Sequence, residues 1–364
     1  MIWQARSLRD VVALMIALGL ALFTAAPGPR PVAVLAAPGG RVTTASTAQL
    51  TMVRFGSPQS ISDAGVFVAR DRGYFRDQGI DVDVVPFQSG PNTIAPLAAG
   101  DLDVAGGTVS TALFNAIERG VGIKAVADKG LSRPGFEFSQ LVLRRDLSES
   151  GQVREIADLR GRRVAIASER SGAESQLAQT LARGGVGVGE VDASVLSFPD
   201  MVVALGNRAI DGAVIIEPLL SAAVERGAAV TWEPGRSSAA YGGVYQAAIL
   251  VVSGRFAAQP DLVRRFLVGY LQGVRAYNDA FVKGEGRPEV VRILTEQTTI
   301  KDPAVYDRMQ MAGLDPDGRI SRQSLQLDLD YFRQQGYYTG PLTLDDIIDS
   351  SYVEYAAQQL GPYR

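Results

Sequence analysis

The chain has 364 residues, 36 Lys and Arg against 39 Asp and Glu, and neither Cys nor His. That content excludes disulfides, thiolate nucleophiles, imidazole bases and the usual zinc and copper ligands. A net charge of −3 with no basic run speaks against nucleic acid as a partner, and the length asks for two lobes rather than one small core.

Residues 1–37 read as a signal peptide. Arg6 and Arg9 form a basic start, residues 11–26 are almost unbroken apolar sequence, and Thr24-Ala25-Ala26 and Leu35-Ala36-Ala37 offer small-residue cleavage sites. The run is shorter than the roughly 20 residues a spanning helix wants, so cleavage is expected ahead of retention as an anchor. Residues 38–49 are rich in Gly, Ala and Thr and read as a flexible linker.

Residues 51–85 form the opening unit. Met52, Val53 and Phe55 end at Gly56, a polar loop follows over 57–63, and a helical pattern runs from Ala64 to near Gly73. Ile80, Val82 and Val84 then alternate with acidic residues, as a strand would. Strand, loop, helix, strand is the start of an α/β domain, and in such a sheet ligands sit beyond the carboxyl ends of the strands. The loop at 57–63 occupies that place. It is rich in hydroxyl and amide groups and has no basic residue, which suits capture of a small solute better than chemistry on one.

The same grammar recurs. Strands are expected at 104–105, 123–127, 136–144, 164–167, 192–196, 213–216 and 246–252. Helices are expected after Pro260 at 262–282, 289–297, 303–311, 321–335 and 344–360. The fold class is α/β with two lobes, each a doubly wound, mostly parallel sheet, and a helical C-terminal region. Residues 50–143 and 247–364 are assigned to the first lobe and 144–246 to the second, with crossovers at 139–144 and 246–252 serving as a hinge. An internal echo supports two similar lobes: Leu97-x4-Leu102-Asp103-Val104-Ala105 matches Leu205-x4-Ile210-Asp211-Gly212-Ala213.

Several motifs in order carry a resemblance. They are Arg72-Gly73-Tyr74-Phe75, Gln78-Gly79-Ile80-Asp81-Val82, Leu97-Ala98-Ala99-Gly100-Asp101-Leu102-Asp103-Val104, Asp158-Leu159-Arg160-Gly161-Arg162-Arg163-Val164-Ala165, Ile210-Asp211-Gly212-Ala213 and Glu217-Pro218. Together they resemble the periplasmic solute-binding proteins of ABC importers, in the type II branch that serves sulfonates, nitrate, taurine and thiamine-pyrimidine precursors. The resemblance covers nearly everything after about residue 50. It implies an exported, extracytoplasmic, monomeric binding protein with no cofactor, no metal and no catalytic residue. Its partners would be a small-molecule solute and an ABC permease with its ATPase. Without Cys, no lipid-attached Cys is expected. The alternative is an enzyme on the same two-lobe fold. A related pyrimidine-making enzyme uses a His as reagent, and this chain has none.

Candidate ligand contacts come from the loops at helix starts, where free N–H groups and the helix dipole meet an oxygen of a solute. They are Ser57, Gln59, Ser60, Ser62 and Asp63; Gln88 and Ser89; Thr108; and Ser168, Ser171 and Gly172. Each hydroxyl or carboxylate among them also reads as a plain helix cap. Glu217 is assigned to the cleft by the resemblance, as an acceptor for a ligand N–H, with an exposed loop carboxylate as the other reading. Phe198, Tyr241 and Tyr245 are candidates to stack on a ligand ring, as are Phe87 and Phe136. The polar loops and the Tyr241–Tyr245 pair favour an organic, heteroaromatic solute, thiamine-pyrimidine or flavin-like, and a sulfonate- or nitrate-type anion stays open. Asp315-Pro316-Asp317-Gly318 lacks the spacing and terminal Glu of a calcium loop and reads as a turn.

Overall fold

The computed structural model describes residues 49–364. The expected signal peptide at 1–37 and linker, apart from Gln49, lie outside the described residues. Ten strands follow in order: β1 (Thr51–Ser57), β2 (Ile80–Pro86), β3 (Val104–Gly107), β4 (Lys124–Ser132), β5 (Ser139–Arg144), β6 (Arg163–Ile166), β7 (Asp192–Val195), β8 (Gly212–Ile216), β9 (Ala229–Val230) and β10 (Tyr245–Val252). They form two five-stranded sheets, ordered β2-β1-β3-β10-β4 and β7-β6-β8-β5-β9. In the first, β1, β2 and β3 are parallel and β10 runs antiparallel between β3 and β4. In the second, β6, β7 and β8 are parallel and β5 runs antiparallel beside β8 and β9. Each sheet therefore takes one antiparallel strand from the segment where the chain passes between lobes.

The chain leaves the first sheet between Ser132 and Ser139 and returns between Val230 and Tyr245. The stretches 139–144 and 246–252 are strands inside the sheets, and the connecting chain lies just before each. An apolar run marks an extended segment in sequence but not the sheet in which it is buried.

The internal echo has a physical basis. Asp103 Oδ2 accepts the Arg54 backbone N–H at 2.9 Å, and Asp103 N–H donates to the Arg54 carbonyl at 3.0 Å. Asp211 repeats this with Arg163, at 2.9 and 2.8 Å. The remaining oxygen takes an arginine at or just past the end of the antiparallel strand: Arg255, on the short helix Gly254–Ala257 after β10, on Asp103 and Arg144, the last residue of β5, on Asp211, both at 2.8 Å. Burial alone would raise the Asp211 carboxyl, yet the Arg163 and Arg144 guanidinium groups hold it below its ordinary value.

Two elements differ from the sequence expectation. The single helix expected over 344–360 is broken into Leu344–Ile347 and Ser351–Leu360. Between them Ile348 pairs with Ala125, and Asp349 N–H donates to the Ala125 carbonyl at 2.9 Å. This short stretch gives the outer edge of β4 a partner, and covering that edge outweighs helix continuity. The strand expected over 123–127 extends to Ser132, through Asp128-Lys129-Gly130. Those residues lie beyond the expected strand end, and all three are buried and paired.

The twin aspartates yield a test. Asp211→Ala removes the acceptor of a largely buried backbone N–H and two arginines, and is expected to cost about 1–3 kcal/mol of folding stability. Urea unfolding measures it, and a loss well under the lower figure would show that the brace is ornamental.

Candidate functional site

A small cavity of about 60 Å³ lies between the two sheets. From the first sheet's side come Ser60, Ser62, Ser89, Gly90, Thr108 and Lys129; from the second side come Ser139, Ser168, Ala173, Gln176 and Phe198; Phe138 and Tyr245 stand where the chain crosses. The helical segments that start at Ile61, Gly90 and Gly172 border it. Their N-terminal ends bring partial positive charge toward the space.

Its floor is a buried ion pair. Lys129 Nζ lies 2.7 Å from Asp63 Oδ1, and both side chains are fully buried. Asp63 Oδ2 accepts from Ser57 Oγ at 2.8 Å and from the Ser60 N–H at 3.1 Å, so the carboxylate fixes the shape of the 57–63 loop. Lys129 also donates to Ser62 Oγ at 2.6 Å, and Ser62 pairs with Ser60. Lys129 reaches this position across β3 because residue 106 is glycine. A Cβ there would overlap the Lys129 stem.

The two lobes meet directly beside the cavity. Ser110 and Ser171 form an antiparallel bridge, with Thr111 N–H donating to the Arg170 carbonyl at 3.0 Å and Gly172 N–H to the Val109 carbonyl at 2.9 Å. Tyr245 Oη donates to the Gly172 carbonyl at 3.0 Å. Gly172 packs against Thr108, whose Oγ1 it would overlap if it carried a Cβ. Thr108 Oγ1 is buried without a hydrogen-bond partner.

Of the residues singled out in the sequence, Ser60, Ser62, Ser89, Thr108, Ser168, Phe198 and Tyr245 line this cavity. Gln59, Gln88 and Glu217 line an adjoining pocket that shares Pro58, Ser60, Phe198 and Ile216 with it; Phe87 is there too. Ser57, Asp63, Ser171, Gly172 and Tyr241 stand behind the wall. Ser171 caps the helix Gly172–Ala182 through the Ala173 N–H, and Ser57 supports Asp63. Tyr241 packs against Tyr245 with ring centroids 4.5 Å apart and planes tilted by 44°, and donates its hydroxyl to Asp328 at 2.6 Å. Phe136 lies under Arg133, outside the cavity, while its neighbour Phe138 faces in. Lys129, Phe138 and Gln176 were not foreseen. The available signal was an Asp-Lys pair set inside an otherwise apolar stretch.

The Glu217 carboxylate faces the protein. It accepts from Ser221 N–H at 2.9 Å, Ser221 Oγ at 2.8 Å and Gln310 N–H at 2.9 Å. Burial pushes its pKa up to about 7 against the pull of those bonds. Asp128, buried on β4 and bonded to Asp315 N–H and Gln246, is raised to about 7 for the same reason. The Asp315-Gly318 stretch is a turn, closed by Gly318 N–H on the Asp315 carbonyl.

A sequence model of the NMT1/THI5 like family matches residues 60–279, more than half of the chain. The chain belongs to the NMT1/THI5 like family. It is 27% identical over 226 residues to a putative aliphatic sulfonates-binding protein of Bacillus subtilis (strain 168), covering 60% of this chain and 63% of the relative's length. Among solved structures it is similar to the alkanesulfonate-binding protein SsuA from Xanthomonas axonopodis pv. citri bound to MOPS. There the TM-score is 0.66 and the identity 18%, over 83% of this chain and 99% of that one. The nitrate-binding protein NrtA from Synechocystis PCC 6803 gives a TM-score of 0.67 at 16% identity, over 86% and 89%. The desulfurization enzyme DSZB shares the fold at a TM-score of 0.58 and 14% identity, over 85% and 100%. This NMT1/THI5-like chain therefore has the type II periplasmic-binding-protein fold, which serves binding proteins and at least one enzyme.

The buried carboxyls of Glu217 and Asp128 predict a pH dependence. Both are raised in the folded protein, so their contribution is whole below the ordinary carboxyl range and is lost as pH rises through about 7. The melting temperature is expected to fall from about pH 5 to about pH 8. A melting temperature that climbs over that interval would contradict these assignments.

Proposed function

We propose that the protein is the extracytoplasmic solute-binding component of an ABC importer, and that its solute is a small organic oxyanion with a sulfonate-type head on an apolar body. The observation that carries this reading is Lys129, a cation placed at the floor of an interlobe cavity whose far walls are apolar. Its ammonium donates to Ser62 Oγ and faces Asp63 Oδ1 at 2.7 Å as an ion pair, which leaves donor capacity for a solute oxygen. Asp63 already balances its charge. The head group is therefore held by hydrogen bonds from Lys129, Ser62 and Thr108 and by the dipoles of the bordering helix starts. Phe138, Phe198, Val214 and Ile216 offer the body an apolar surface. The sulfonate-binding relative and the SsuA neighbour favour the same solute class. The Tyr241–Tyr245 pair that favoured a heteroaromatic ring is engaged with itself and with Asp328, which weakens that alternative.

Binding is favoured over catalysis by the lining. Lys129 and Tyr245 are its ionisable side chains, and Lys129 is locked in an ion pair while Tyr245 donates to a backbone carbonyl. Delivery to a permease with its ATPase follows from the importer role, as do export by the segment at 1–37 and a monomeric state. No helix among the described residues is long and apolar enough to cross a membrane.

Calorimetry with hexanesulfonate, benzenesulfonate, nitrate and a neutral aminopyrimidine tests the reading. The two organic sulfonates are expected to bind. Lys129→Met alone strands Asp63 in the interior and is expected to cost about 3–5 kcal/mol of stability. The double variant Asp63→Asn, Lys129→Met relieves that charge and is expected to fold, yet to bind sulfonates about 1.5–3 kcal/mol more weakly. Sulfonate affinity unchanged in the double variant, or binding of the pyrimidine alone, would overturn the assignment.

A further inference from the structure

A second buried acid stands behind the cavity, at the seam between the lobes. Asp328 is on the C-terminal helix Arg322–Gln334, whose Leu325, Leu329 and Phe332 pack with Leu113 and Phe114 of the first lobe. The carboxylate is fully buried. Its Oδ1 accepts from Tyr241 Oη at 2.6 Å, and Tyr241 Oη is 3.0 Å from Ser175 Oγ on the second lobe's helix Gly172–Ala182. Its Oδ2 has no hydrogen-bond partner. One turn further along, Tyr331 Oη donates to Glu174 Oε1 of the same second-lobe helix at 2.7 Å.

The ionisable groups around Asp328 are all acidic or phenolic. Tyr241 and Tyr245 face it from the connection, Tyr331 lies on its own helix, and Glu174 is engaged by Tyr331 and by the Arg170 N–H. Among the described residues no Lys or Arg is paired with it. An uncompensated carboxylate in such a place is costly, and a protonated one far less so. Burial pushes its pKa up to about 7, against the opposing bond from Tyr241.

We infer that closing the two lobes takes up a proton at Asp328, so that acid favours the closed form and neutral pH releases it. Separation of the lobes parts Tyr241 and Ser175 from the C-terminal helix and admits water to the carboxylate, which then ionises as an ordinary Asp. The closed-to-open ratio falls up to tenfold per pH unit from the ordinary Asp value to about 7 and is level above that. Affinity for any solute that needs closure follows the same curve. That last consequence rests on the solute-binding reading, whereas the closure equilibrium itself does not.

Small-angle scattering of the solute-free protein, from about pH 4 to about pH 8, tests it without a ligand. The radius of gyration is expected to grow across the interval and level near neutrality. Asp328→Asn is expected to remove most of that growth, leaving only the part due to Glu217, which joins Ser221 of the second lobe to Gln310. A flat profile in the wild type, or an identical profile in Asp328→Asn, overturns the inference. Should circular dichroism show Asp328→Asn unfolded, Tyr241→Phe decides. It removes a bond that favours the carboxylate, so the midpoint moves to higher pH, and an unmoved midpoint counts against the proton at Asp328. Failure of sulfonates to bind would leave these scattering outcomes intact and bear only on the solute.

Discussion

Asp63 and Lys129 lose all their water on folding, and the cavity floor exists because they find each other at 2.7 Å. Such a pair stabilises little on balance, since desolvation offsets most of the attraction. Its consequence is positional. One carboxylate oxygen takes the lysine and the other takes Ser57 Oγ and the Ser60 N–H, so the first helix-start loop adopts one shape. The lysine meanwhile crosses from β4 over the glycine of β3, which binds non-adjacent strands to that loop. Ser60 and Ser62 are then presented to the cavity as a consequence of this single contact and its neighbours.

Around that floor the two lobes are built alike. Each carries a central strand opened by an aspartate that bonds the backbone of the first strand and an arginine near the antiparallel strand. The same order of strands in both sheets sets the carboxyl ends of the parallel strands, and the helix starts that follow them, toward one seam. The seam is closed by backbone hydrogen bonds at 109–111 and 170–172, and behind them by the Tyr241–Asp328 contact. Cavity and seam share Tyr245 but otherwise differ. Serines, Lys129, Phe138 and Phe198 surround the cavity, while the bridge, Tyr331–Glu174 and Asp328 join the lobes outside it.

Much of this was legible in the sequence. Strand periodicity and the Leu-x4-Leu/Ile-Asp echo announced two α/β lobes, because alternation and small-residue strands leave local marks. Helix-start loops were legible for the same reason, and Ser60, Ser62, Ser89, Thr108 and Ser168 do border one cavity. Lys129 was hidden, since a charged residue in Asp-Lys-Gly reads as a loop until its partner, 66 positions earlier, is brought beside it. Glu217 read as a cleft acid, yet Ser221 and Gln310 take its oxygens. The partner Gln310 comes from a distant segment that no local pattern connects to it. The broken helix at 348–350 has the same origin, a strand edge that only the folded chain presents.

The central claim is that the solute is held over the Asp63–Lys129 floor, and a crystal structure of the protein grown with hexanesulfonate tests it most directly. The account predicts density for the sulfonate oxygens within hydrogen-bond distance of Lys129 Nζ and the Ser62 hydroxyl, with the alkyl chain against Phe138 and Phe198. Density confined to the adjoining pocket beside Glu217, with the space over Lys129 filled by water, would contradict it.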